Sequence, residues 1–115
     1  MAFTAVAKAD GIAKGSMQKV TEDGKEILIA RVGDKYYAAR NRCTHMGGNL
    51  SAGTLKGTVV TCPLHGSQFD LKNGAVVRWT NWPGLLVTLS KIFKPVKPLP
   101  IYKVKVEGND ILVDV

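Results

Sequence analysis

The sequence predicts an all-β protein carrying one short helix near 83–93. Three observations point that way. Short apolar runs recur between turn signals such as Gly33-Asp34, Asn73-Gly74 and Gly108-Asn109. Near the end of the chain, Tyr102, Val104 and Val106 alternate with Lys103 and Lys105 with the period of a strand. One segment departs from this pattern: from Trp82 onward the apolar residues are spaced as on a helix face.

Phe3 to Lys8 reads as an edge strand and Met17 to Val20 as the next. Glu22-Asp23-Gly24-Lys25 turns the chain into Glu26 to Arg31, whose Ile27, Leu28 and Ile29 form a continuous apolar run expected to be buried. Gly33-Asp34 turns it again into Tyr36 to Arg40, and this hairpin leads directly into Cys43. Thr58 to Thr61 forms a further strand and delivers Cys62. Gln68 to Leu71 and Ala75 to Val77 make a hairpin around Lys72-Asn73-Gly74, since Asn-Gly favours the positive φ of hairpin turns. Tyr102 to Val106 and Ile111 to Val115, joined at Gly108-Asn109, close the sheet. Between them, Trp82, Leu85, Leu86, Leu89 and Phe93 lie on one helical face. Pro83 suits a first helical turn behind an Asn81 cap, and Pro95 ends it. The Lys94 to Pro100 connector that follows is stiffened by its prolines.

The 115 residues suit one domain, 1–115. A hydrophobic content of 45% and a charged content of 22% are those of an ordinary globular protein. No stretch approaches the roughly 20 apolar residues needed to span a bilayer, so no membrane anchor is expected. The opening MAFTAVAKAD lacks a basic segment followed by an apolar one, so no secretory signal is expected and the cytoplasm is the expected location. Lys and Arg outnumber Asp and Glu by 16 to 9, giving +7. These cations are scattered, with no run and no interleaved aromatics, which points to acidic protein partners and away from nucleic acid. Arg42 and Lys56 are candidates for steering such a partner; a solvated charge is the plainer reading of each.

The 2 cysteines and 2 histidines of the chain all lie in two short segments, Cys43-x-His45 and Cys62-x-x-His65. Each segment pairs one thiolate with one imidazole, a donor set that suits zinc or an iron–sulfur centre. A disulfide is disfavoured, because each cysteine has a histidine at ligand spacing. Structural zinc sites usually place two cysteines at one end and two histidines at the other, an order this chain does not follow. Gly47 and Gly66 beside the ligands permit positive φ and close approach of backbone N–H groups.

The pattern Cys43-Thr44-His45-x-Gly47 with Cys62-Pro63-x-His65-Gly66-Ser67 resembles the Rieske [2Fe–2S] family, and the flanking strands fit as well. The resemblance covers most of the chain apart from the segment near 83–93. It implies an antiparallel β-sandwich in which two hairpin loops, within about 41–74, form a small cluster-binding subdomain. The helix would then sit in an insertion at about 79–98. It further implies one [2Fe–2S] cluster, with Cys43 and Cys62 on one iron and His45 and His65 on the other. Exchanging two thiolates for neutral imidazoles makes a cluster less negative. Rieske potentials accordingly run from about −150 to +300 mV, against roughly −400 mV for plant-type ferredoxins.

Departures from the family's respiratory branch are informative. The extra loop cysteines of that branch are here Gly48 and Leu64, and its N-terminal anchor is not expected here. Ser67 stands at the position of a serine that bonds a bridging sulfide, while Phe69 replaces a tyrosine that bonds a cysteine sulfur. The resemblance therefore implies a potential on the order of −100 to +100 mV. Met46 and Leu64 read either as core residues or as an apolar collar offering a docking surface beside the histidines.

The implied function is that of a one-electron carrier between a reductase and an acceptor oxidoreductase, with no catalytic residue of its own. A non-catalytic subunit of an oxygenase or a nitrite-reductase-like assembly is the alternative, and a redox or iron–sulfur sensor, a third class, would need a DNA-binding or effector domain that the sequence does not lead one to expect. The apolar stripe of 83–93 is expected to pack on the sheet or to serve self-association.

Overall fold

The computed structural model describes residues 3–42, 49–63, 66–78 and 98–114. Eleven strands are assigned among them: β1 (Phe3–Lys8), β2 (Met17–Glu22), β3 (Lys25–Val32), β4 (Lys35–Arg40), β5 (Thr54–Lys56), β6 (Val59–Thr61), β7 (Gln68–Asp70), β8 (Val76–Arg78), β9 (Ile101–Tyr102), β10 (Val104–Glu107) and β11 (Asp110–Asp114). They form three antiparallel sheets with orders β1-β11-β10, β2-β3-β4-β9 and β5-β6-β7-β8. Single turns of 3-10 helix lie at Ala9–Gly11 and Leu50–Ala52. The helix expected near 83–93 lies outside the described residues.

The middle sheet is buried on both faces, and β3 shows why its sequence reads as an unbroken apolar run. Ile27, Leu28, Ile29 and Ala30 are all fully buried, yet alternate residues enter different cores. Ile27 and Ile29, with Ala38, Ile111 and Val113, pack toward the first sheet. Leu28 and Ala30, with Ala39, pack against Leu50, Val60, Cys62, Phe69, Leu71 and Leu99. Cross-strand register keeps the sets apart: Val20 faces Ile27 and Ile29 faces Ala38 on one side, while Met17 faces Ala30 and Leu28 faces Ala39 on the other.

The tight turns match the sequence. Asp23 and Gly24 both take positive φ (52° and 75°) between paired Glu22 and Lys25, the geometry of a type I′ hairpin. Gly33, Gly57 and Gly108 hold positive φ at the first position of the other two-residue turns.

One expectation is corrected. Tyr102 to Val106 is not one strand: the chain breaks at Lys103, pairs with β4 before it and with β11 after it, and so crosses from the middle sheet to the first. The hairpin expected around Lys72-Asn73-Gly74 does form, β7 pairing with β8. In its loop, Gly74 N–H and Asp70 N–H are bonded to Asp70 O (2.7 Å) and Ala75 O (2.9 Å) respectively. Asn73 Oδ1 accepts from Ala75 N–H at 2.9 Å. Gly74 has a φ of +78°, and a Cβ there would lie 2.1 Å from the Leu99 carbonyl oxygen. The Leu99 N–H in turn bonds Gly74 O at 2.8 Å. A contact with a distant segment sets this loop, so its local sequence could not reveal it.

Candidate metal centre

The third sheet builds the platform for the segment that begins at Cys62. Leu55, Val60, Phe69 and Val76 stand side by side across its four strands, all within the core on that side. Alternation carries this inward face beyond the strand ends. Cys62, two residues after Val60, is 2% exposed, and Ser67, two residues before Phe69, is fully buried. The hairpin tip is closed by Cys62 N–H to Ser67 O (2.7 Å) and Gly66 N–H to Cys62 O (3.1 Å), with Gly66 at φ +72°. Gln68 Nε2 braces the hairpin below by donating to Thr61 Oγ1 at 3.2 Å. A soft thiol is thus held at a fixed point in an apolar setting, a fit to an iron–sulfur group.

The Cys43–His45 segment is bracketed in a different way. Asn41, 3% exposed, donates from Nδ2 to Asn49 Oδ1 at 2.7 Å and accepts from Ser51 N–H at 2.8 Å. Ser51 Oγ also donates to Asn49 Oδ1, at 2.7 Å. The Asn41 N–H is bonded to Glu26 O at 3.0 Å, so the network is tied to the middle sheet. These amides clamp the two feet of the loop that contains Cys43 and His45. Sequence reasoning missed them, because an asparagine beside a ligand reads as turn punctuation. Its burial is the telling signal, and burial is a property of the fold.

Of the expected site residues, Cys62, Gly66, Ser67 and Phe69 fall in the described structure, gathered at one hairpin. Cys43, His45, Met46, Gly47, Leu64 and His65 lie outside the described residues, as does Gly48. Among the described residues no three His, Cys, Asp or Glu side chains gather as a metal site, and no helix is long and apolar enough to cross a membrane.

An all-β fold with a buried cysteine at one hairpin tip, and a second cysteine–histidine segment clamped at its feet, suits a metal-cluster protein. The Rieske [2Fe-2S] domain profile matches residues 2–112, and the chain belongs to that family. It is 32% identical over 115 residues to the biphenyl dioxygenase ferredoxin subunit of Pseudomonas sp. strain KKS102, covering 99% of this chain and 93% of the relative. It is also 32% identical over 114 residues to the biphenyl 2,3-dioxygenase ferredoxin component of Rhodococcus jostii strain RHA1, covering 99% and 94%. Among solved structures, the ferredoxin of carbazole 1,9a-dioxygenase from Nocardioides aromaticivorans IC177 superposes with a TM-score of 0.80 at 30% identity, covering 98% of this chain and 97% of that one. A ferredoxin from a complex of reduced oxygenase and oxidized ferredoxin in carbazole 1,9a-dioxygenase gives a TM-score of 0.78 at 29% identity, over 96% and 91%. The cofactor of this chain is one [2Fe–2S] cluster, and its function is electron carriage.

Proposed function

We propose that the chain is the ferredoxin component of a dioxygenase system, taking single electrons from a reductase and delivering them to a terminal oxygenase. The observation that carries this is the near full-length likeness, in sequence and in fold, to proteins that are themselves ferredoxin components. One of the similar structures comes from a complex with an oxygenase. Cys43 and Cys62 would hold one iron of the cluster, and His45 and His65 the other. When bound, the cluster supplies a one-electron couple without an open coordination position for substrate.

The chain's own residues do the rest. The core beneath Cys62 excludes water, and the Asn41 clamp fixes where the first loop emerges. Met46 and Leu64 would present an apolar collar at the tip. The whole would act as one domain, in the cytoplasm.

The test begins with the isolated protein. It should be red-brown, hold two irons and two labile sulfides per cluster, and give a rhombic EPR signal on reduction. A colourless protein containing zinc would refute the reading. Mixed with a reductase and a terminal oxygenase of the biphenyl dioxygenase type, the reduced chain should support oxygenase turnover. A cluster that is reduced but passes electrons to no oxygenase would sink the dioxygenase assignment alone.

A further inference from the structure

A cleft of about 380 Å³ opens at the end of the middle sheet where β4 runs out toward the first ligand loop. Lys25, Arg40 and Arg42 line it, together with Glu26, Asn41 and Tyr102. The three cations are brought together by register. Ile27 pairs with Arg40, and the Asn41 N–H bond to Glu26 O holds the chain beside β3 for one residue more, which brings Arg42 to the same cleft as Lys25. Lys25 and Arg40 therefore share the Ile27 face of the sheet, and Arg42, in the bend that follows β4, completes the lining.

Like charges facing across strands are destabilising unless something offsets them. Nothing in the described structure does so. Glu26 is the acid in the lining, and its carboxylate is engaged by Lys19 at 3.2 Å. Among the described residues, Lys25, Arg40 and Arg42 make no ion pair, and all three are exposed. The half-buried Tyr102 adds an aromatic wall. Arg42 is the residue immediately before Cys43, and Asn41 belongs to the clamp on that loop.

We infer that this cleft is the electrostatic socket for an acidic patch, two or more surface carboxylates, on the protein that exchanges electrons with this chain. The inference rests on the electron-carrier reading for its purpose. A carrier must associate and part quickly, and complementary charge beside the exit point gives fast, salt-sensitive docking without tight binding. Three cations in a compact cleft suit a cluster of carboxylates; a nucleic acid would call for an extended basic stripe.

The test uses the oxidised holoprotein with hexacyanochromate(III), a redox-inert paramagnetic trianion. It should broaden the Gly24 and Tyr102 amide resonances selectively. A hexaglutamate peptide should reverse the broadening, whereas displacement by inorganic phosphate and not by the peptide would overturn the carboxylate assignment. The Lys25→Glu/Arg40→Glu variant should lose the effect, the neutral Lys25→Gln/Arg40→Gln variant should weaken it, and Lys14→Glu/Lys35→Glu at the far end of the same sheet should keep it. Broadening spread over other lysines, or indifferent to the cleft variants, would overturn the inference.

A second arm follows oxidation of the reduced holoprotein by ferricyanide, in which one electron passes from the cluster to give ferrocyanide. At low salt the cleft charge reversal should slow this about tenfold while leaving a cationic cobalt oxidant unslowed. Equal slowing of both oxidants would also count against the socket. A holoprotein inert to both oxidants would defeat the electron-carrier reading and leave the first arm to judge the cleft.

Discussion

Asn41 and Asn49 are joined side chain to side chain, Nδ2 to Oδ1 at 2.7 Å, across the feet of the loop that carries the first cysteine–histidine pair. The bond matters because Asn41 is buried and its side-chain oxygen is already committed to the Ser51 amide. Neither end can be lost without leaving polar groups unpaired, and in a buried setting each such group costs about 1–3 kcal/mol. Asn41→Ala should lower unfolding free energy by about that amount and accelerate loss of visible absorbance when a chelator is added. Asn41→Asp keeps the acceptor for Ser51 but turns the donor into an acceptor facing Asn49. It should release iron as fast as the alanine variant or faster. Chelator resistance equal to wild type in both would show that the clamp does not hold the loop.

Gly74 offers a sharper contrast. Its φ of +78° resembles the +75° of Gly15, but a Cβ at Gly74 meets the Leu99 carbonyl oxygen at 2.1 Å, whereas nothing lies within 4 Å at Gly15. Both alanine substitutions incur the left-handed backbone penalty of about 1–2 kcal/mol. At Gly74 the backbone must also move, which disturbs the reciprocal Leu99 N–H to Gly74 O bond. Gly74→Ala should therefore shift the urea midpoint downward by a good deal more than Gly15→Ala does. Equal shifts would mean that Leu99 yields freely.

Ser67 and Phe69 lie on the same inward face of the hairpin that presents Cys62, and both are fully buried. A hydroxyl donating toward a sulfur stabilises the added electron, so Phe69→Tyr should raise the reduction potential and Ser67→Ala should lower it. A bond stronger by about 1.4 kcal/mol in the reduced state moves a one-electron potential by about 60 mV. Protein-film voltammetry gives the sign directly. A fall for the tyrosine variant or a rise for the alanine variant would show that hydrogen bonding near the sulfurs is not the control.

Much of this arrangement was legible in the sequence, for reasons that particular residues make plain. The Asp23-Gly24 and Gly33-Asp34 turns are set by local sterics, so they read correctly. The Ile27-Leu28-Ile29 run announced a strand covered on both faces. Strand β5 leaves a weak mark in the sequence because Thr54–Lys56 is only three residues long and sits between Gly53 and Gly57. The switch of sheets at Lys103 left no mark either, since both halves of Tyr102 to Val106 have strand character. The Asn41 clamp and the Lys25–Arg40–Arg42 cleft depend on segments distant in sequence meeting in register, which periodicity cannot show.

Ile27 and Leu28 are neighbours with identical burial, and they separate what stabilises the protein from what holds its cluster site. Both are fully buried, so truncation to alanine should cost each about 2–5 kcal/mol. Ile27 packs with Ile111 and Val113 toward the first sheet, whereas Leu28 packs with Val60, Phe69 and Cys62. A cavity beneath Cys62 loosens the hairpin that presents the thiol. A cavity on the opposite face leaves the rest of the middle sheet between itself and that hairpin. Leu28→Ala should therefore speed iron release to a chelator under conditions where the chain remains folded, and it should broaden the EPR spectrum of the reduced protein. Ile27→Ala should lower the denaturation midpoint by a similar amount while leaving iron release and spectrum near wild type. If the two variants release iron at the same rate once matched for stability, the two cores act as one, and retention of the cluster follows global unfolding alone.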